Sequence, residues 1–295
     1  MKKIFIISAL LSLTALFGCW DSWTGSNEHK HYDIDTINEH LISEISSILQ
    51  TKMPLAYDSI LNSNPATFQQ NKLLNLSLIN NKELKDKPLF LGGYFVDMLY
   101  CNIFKKNEKS IEYLNVMEEI ATEMKIAHYF HFDTLELALE DNLFHEICDI
   151  STDAVMLSRL DEETPLSVNN ELYIVSGGLI EEMYLISRND MNNKYLRTIM
   201  GGRKIVIKNL LLQMEFYKFP LEGEIQKSIF ESFTAIDSVM NDKVNIVYTE
   251  LEPKVVVING ESSLQSELQM VVKTDHQTLL DVKKRIETLR KNIFQ

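Results

Sequence analysis

Two segments far apart in this chain carry the same spaced signature, and that repetition restricts its fold more than any other feature. Gly93 to Tyr100 reads Gly-Tyr-Phe-Val-Asp-Met-Leu-Tyr, and Gly177 to Tyr184 reads Gly-Gly-Leu-Ile-Glu-Glu-Met-Tyr. Each places a carboxylate (Asp97, Glu181) four residues after a glycine and a tyrosine (Tyr100, Tyr184) three residues later. Steps of four and three share one helix face. A glycine on that face lets a second helix come close, so the carboxylate and tyrosine fall inside the contact. Each signature is followed by an Asn-led turn and a Tyr-Leu pair, Tyr113-Leu114 and Tyr195-Leu196. The pattern predicts related antiparallel helical hairpins packed about a pseudo-twofold axis.

The rest of the body reads as helix in the same way. Ile37, Leu41, Ile45, Ile48 and Leu49 recur at helical spacing after Asp35-Thr36. Pro65 can open a helix through Phe68, Leu73, Leu74 and Leu76. Phe90–Ile126 is a hairpin, with Leu91, Phe95, Met98, Leu99 and Ile103 on one arm and Ile111, Leu114, Met117 and Ile120 on the other. Asn107 is placed to cap the second arm. Asp133-Thr134-Leu135-Glu136 resembles a capping box for a helix through Cys148. Thr152–Leu160 continues as helix. Pro165 and Ser167 restart one through Tyr184 and Ile186, and Asn189-Asp190 cap another to Phe216 with an interruption at Gly201-Gly202. Glu222–Met240 is amphipathic, and Thr274-Asp275 cap a last helix whose stripe is Leu279, Val282, Ile286 and Leu289. Only Val244–Tyr248 and Lys254–Ile258 are rich in β-branched residues, with turn signals at Pro253 and Asn259-Gly260. The expected architecture is all-α, with a small β-hairpin or irregular lobe near the C-terminus.

The first nineteen residues set the location. Lys2 and Lys3 precede an apolar run, Ile4 to Phe17, too short to span a bilayer. Leu16-Phe17-Gly18-Cys19 resembles a bacterial lipobox, in which the cysteine is diacylated and becomes the first residue. Residues 1–18 are then a lipoprotein signal peptide, 19–34 a polar tether and 35–295 a single mainly helical domain. Residue 20 is Trp, and by resemblance to bacterial sorting rules its not being Asp favours the outer membrane over the inner. Acyl chains would supply the membrane affinity.

Charge narrows the partners. Lys and Arg number 29 against 42 Asp and Glu, a net −13, and removal of Lys2 and Lys3 leaves 27 against 42, or −15. Such a body is repelled by phosphate backbones, so nucleic acid is not an expected partner. Beyond Cys19 the cysteines are Cys101 and Cys148. An oxidising compartment permits a disulfide between them, and apolar neighbours suit packed thiols.

At the repeated signature the chain also resembles a group of Bacteroidetes lipoproteins. The matching residues are Leu91-Gly92-Gly93-Tyr94 through Asp97 and Tyr100, Glu112-Tyr113-Leu114, and Gly177-Gly178-Leu179-Ile180-Glu181 with Tyr184-Leu185. The resemblance covers roughly residues 53–216. Where that family carries an aromatic residue after the second Gly-Gly, this chain has Leu179. The resemblance implies a helical envelope protein and brings no catalytic residues and no activity.

No catalytic constellation is legible. There is no Gly-x-Ser-x-Gly and no HExxH. His128 and His131 with Asp133 offer nitrogen and oxygen donors, but no second His or Cys set accompanies them, and their neighbours Tyr129, Phe130 and Phe132 favour a packed helix corner. Gly201-Gly202-Arg203-Lys204 lacks the spacing of a phosphate loop. The expectation is a non-enzymatic interaction or scaffold module on a lipid anchor, contacting the membrane and an envelope protein, with no cofactor and no metal. The alternative is a small-ligand or cation binder using a groove at Asp97, Tyr100, Glu181 and Tyr184, where two facing carboxylates could hold a cation or exchange a proton. An exposed apolar patch favours the first, a deep polar pocket the second.

Overall fold

The computed structural model describes residues 68–295, except 144–145, 148, 152–153, 155–167, 190–193, 222, 251–253, 259–260 and 266–267. All fall within one compact unit, Gln50–Gln295. The signal, the tether, the segment from Ile37 to Leu49, and Cys148 lie outside the described residues, as does most of Thr152–Leu160.

Seven helices are named here: α1 Lys87–Ile103, α2 Asn107–Glu123, α3 Phe132–Glu140, α4 Val168–Ser187, α5 Lys194–Phe216, α6 Glu224–Lys243 and α7 His276–Phe294. Four short strands, β1 Asn245–Glu250, β2 Lys254–Ile258, β3 Glu261–Gln265 and β4 Leu268–Lys273, lie between α6 and α7. The fold is helical, with the small β element where the β-branched runs predict it. The strands are twice as many as expected: β1 pairs antiparallel with β4 and β2 with β3. Ser262, Ser263 and Gln269 dilute the β-branched signal of the later pair.

At the centre stand α1 and α4, the most extensively packed pair. Both are apolar on nearly all sides and buried along most of their length, as helices enclosed by others must be. The glycines make the approach possible. A Cβ on Gly92 would stand 1.9 Å from the Ile174 carbonyl oxygen, and one on Gly177 would stand 1.9 Å from the Leu89 carbonyl oxygen. The contact is reciprocal, since each carbonyl lies three residues before the opposite glycine. Sequence spacing aligns Gly93 with Gly177, but Gly92 is the true counterpart. Gly93 faces Leu74 and Phe294 instead.

Around this pair, α2 packs on α1, α3 on α2, α5 and α7 on α4, and α6 on α5 and α7. The hairpin of α1 and α2 turns through Phe104–Lys106, where Lys105 takes φ of 55°. Its predicted arms are correct, except that Asn107 does not cap. It is the first residue of α2, and its Nδ2 donates to the Glu140 carbonyl. The expected capping box at Asp133 does not form either. Helix α3 already begins at Phe132, behind His131 in the left-handed region at φ 46°, and it ends at Glu140. Gly201-Gly202 do not interrupt α5. Gly201 instead receives Val272 of β4, whose Cγ1 would lie 2.3 Å from an added Cβ. Asp275 caps α7 as expected, accepting from the Thr278 N–H at 2.7 Å.

Before α1 runs a segment with no α-helix, contrary to the expectation from Pro65. Residues Gln70–Lys72 and Leu76–Asn81 form 3₁₀ turns, and Leu73 and Asn75 between them are extended. Asn75 accepts from the Ser77 N–H at 3.0 Å, a local bond that competes with helix. This strap crosses the helices that carry the repeated signature.

Candidate functional site

An extended strap cannot satisfy its own main chain, so its buried polar groups need partners elsewhere. They find them on side chains of three helices. The Leu74 N–H donates to Asp97 Oδ2 at 2.7 Å, and the Leu74 carbonyl accepts from the Tyr113 hydroxyl at 2.7 Å. The Asn75 carbonyl accepts from the Tyr94 hydroxyl at 3.1 Å, and the Gln69 N–H donates to the Tyr100 hydroxyl oxygen at 3.3 Å. The Lys72 carbonyl accepts from Arg290 Nη2 at 2.8 Å. Phe68 stacks on Tyr100 with ring centroids 5.7 Å apart.

The two signature carboxylates meet beneath this strap. Asp97 on α1 and Glu181 on α4 are both completely buried. Arg290 of α7 binds Glu181 with two parallel bonds, Nε to Oε2 at 2.6 Å and Nη2 to Oε1 at 2.9 Å. This is the bidentate geometry in which guanidinium and carboxylate pair most strongly. Tyr184 lies against the same guanidinium, 3.9 Å from Cζ to its ring centroid. The site thus contains two acids and one cation.

Burial, and then the charge of Glu181, lifts the Asp97 carboxyl well above the usual carboxylate range. Burial also raises Glu181, while its bond to Arg290 and the charge of Arg290 pull it back. Burial works against the charge on Arg290, yet Glu181 holds its pKa above the ordinary value. Two buried acids share one cation, and the two bonds to Arg290 favour the charge on Glu181 over Asp97. Asp97 Oδ1 has no hydrogen-bond acceptor role filled, although it is fully enclosed. A proton on Asp97 would turn this unfilled acceptor into a donor. Arg290 thus joins the Lys72 carbonyl to Glu181, and Asp97 holds the Leu74 N–H beside them. Burial also drives the Tyr94, Tyr113 and Cys101 groups upward, so each stays neutral.

Of the residues expected at a groove, Asp97 and Glu181 are brought together, Tyr184 covers their counter-ion and Tyr100 sits at the strap's edge. Sequence reasoning missed Arg290. The signal was present: Arg290 stands four residues after Ile286 and three before Ile293, on the apolar face of α7. Only a paired cation is stable there.

The other candidates are placed as follows. Arg203 pairs with Glu182, both nearly buried, and ties α5 to α4. Lys204 Nζ donates to the carbonyls of Asn241 at 2.9 Å and Val244 at 2.8 Å, closing the end of α6. His128 tilts on the Tyr129 ring with centroids 3.9 Å apart. Among the described residues no three His, Cys, Asp or Glu side chains gather around a common point. Cys101 is a free, buried thiol. No helix of the described residues is long and apolar enough to cross a membrane. Ile205, Leu212 and Phe216 of α5 are exposed to 40%, 53% and 54%.

The chain matches no family model, no curated protein and no solved structure.

Proposed function

We propose that this chain is a lipid-anchored envelope protein that acts through a protein contact and performs no chemistry of its own. The anchor follows from Leu16-Phe17-Gly18-Cys19. The observation that carries the reading is a contrast. Asp97 and Glu181 are buried beneath residues 69–75 and bonded to the Leu74 N–H and to Arg290, whereas Ile205, Leu212 and Phe216 stand in solvent on one face of a long helix. A ligand at the acid pair would first have to displace residues 69–75. A partner at α5 displaces only water, and exposed apolar side chains on one face of a helix suit an interaction surface.

The test combines metabolic labelling with an alkyne-bearing palmitate and affinity purification from envelope extracts. Labelled wild-type protein, with label lost in Cys19→Ser and a co-purifying envelope protein lost in Leu212→Glu/Phe216→Glu, is the expected result. Unlabelled wild-type protein overturns the anchor. Capture of every partner unchanged in the α5 double variant overturns the contact surface.

A further inference from the structure

Residues 69–75 are held in place by side chains of other elements. Asp97, Tyr94, Tyr100, Tyr113 and Arg290 each bond a main-chain group of this strap. The Leu74 side chain packs at Gly93, where an added Cβ would meet its Cδ1 at 2.8 Å, with Phe294 beside it. A segment attached in this way can open as a unit while the helices stay folded. Beneath it, Asp97 and Glu181 are completely buried and Arg290 nearly so. The closed strap therefore keeps two acids and one cation away from water. With both acids ionised, one negative charge is left there without a partner or solvent, which is the costly state for a buried group. The remaining titratable groups around Asp97 are Tyr113 of α2 and Tyr94, Tyr100 and Cys101 of its own helix. Burial raises all four, so they stay neutral. The strap's own charged residue, Lys72, is partly exposed. The charge balance thus turns on Asp97, Glu181 and Arg290.

We infer that residues 69–75 form a pH-operated latch over the acid pair, closed while Asp97 carries a proton and opened when that proton is lost to solvent. Opening admits water to both carboxylates and uncovers the Tyr94 and Tyr113 hydroxyls. Glu181 and Arg290 keep their two bonds, so α4 and α7 stay joined as the strap lifts. Burial and the charge of Glu181 oppose ionisation of Asp97 under the closed strap. The Leu74 N–H and Arg290 favour it and do not offset them. Water reaches the carboxyl in the open state, so Asp97 holds its proton more tightly closed than open. The opening constant therefore rises with pH, about tenfold per pH unit between the open and closed pKa values, and levels off above the higher one. The latch is independent of the lipid anchor and of the α5 surface.

The test is hydrogen-exchange mass spectrometry of the full chain in detergent micelles, across about four pH units above the ordinary aspartate range. Each rate is corrected for the intrinsic pH dependence of amide exchange. In wild-type protein, peptides covering residues 69–75 should lose protection about tenfold per pH unit over part of that range, while peptides from α4 keep theirs. Asp97→Asn has no proton to lose, and its strap should stay equally protected at every pH. Tyr113→Phe should raise strap exchange at every pH and leave the slope in place, because it removes a bond and no titrating acid. Strap protection that does not change with pH in wild type overturns the latch. So does an equal slope in Asp97→Asn, or a loss of protection shared by α4, which means unfolding of the whole bundle. The wild-type and Tyr113→Phe series decide the question even where Asp97→Asn does not fold.

Discussion

Glu181 and Arg290, 109 residues apart in the chain, form two parallel hydrogen bonds in a site that holds a second acid, Asp97. One cation cannot neutralise two buried carboxylates, so the pair is stable only if one of them keeps its proton. Arg290 holds the charge on Glu181 through those two bonds, which leaves the proton to Asp97, whose Oδ2 accepts from the Leu74 N–H. Asparagine reproduces the protonated acid's shape and its donor and acceptor. Asp97→Asn is therefore expected to fold with stability within about 1 kcal/mol of wild type. Glu181→Gln removes the charge that Arg290 needs and is expected to cost about 3–5 kcal/mol. Denaturant melts of both variants check the contrast.

The glycine contact makes a sharper prediction, because chemically equal substitutions differ in outcome. Gly92→Ala and Gly177→Ala each drive a methyl group into a main-chain carbonyl and should cost at least about 3 kcal/mol. Gly178→Ala meets its nearest atom, the Gly92 carbonyl oxygen, at 3.4 Å and should cost less than about 1 kcal/mol. Thermal melts of the three alanine variants decide it. Equal losses at 92 and 178 would mean that the helices cross elsewhere.

Acid and base shift this protein in a direction set by Asp97. Its folded pKa is raised above the unfolded value near 3.8, first by burial and then by Glu181. Between those two values the native state holds more protons than the unfolded chain. The stability contributed by this group is complete below the unfolded value and declines as pH rises toward the folded one. Exposed groups such as Asp275, held low by its bonds to Thr278, act oppositely but are common to wild type and variant. The stability of Asp97→Asn minus that of wild type should therefore grow as pH rises above about 4. Paired urea melts across that range measure the difference.

The strap should loosen before the bundle does. Its hold depends on side chains of α1, α2 and α7, and Tyr113 is the one that takes the Leu74 carbonyl. Tyr113→Phe leaves that carbonyl buried without its donor and should cost about 1–3 kcal/mol. The loss should register first as faster amide exchange at residues 69–75, with α4 unchanged, in hydrogen-exchange mass spectrometry.

How far the fold was legible depended on whether the signal was local. Leu91 to Ile103 and Ile111 to Ile120 repeat at helical spacing, and Asp275 is a capping residue followed by a clean stripe, so those helices follow from sequence. The strap did not, because residues 69–75 have no periodicity and owe their conformation to side chains far along the chain. Asp133 misled because His131 turns the chain in the left-handed region and lets the helix start two residues early. The acid pair was visible in the spacing of Asp97 and Glu181. Its counter-charge was hidden, since Arg290 comes from a helix with no part in the repeat, and without it the two acids read as an open groove.

The acid pair depends on the protonation of Asp97, and carbon-13 NMR of the side-chain carboxyls reads it directly. With Asp97 assigned through loss of its signal in Asp97→Asn, its carboxyl carbon should still hold the protonated shift at a pH where ordinary aspartates have ionised. A carboxylate shift at that pH, titrating near the ordinary aspartate value, would contradict a protonated Asp97 and make the acid pair an open cation site.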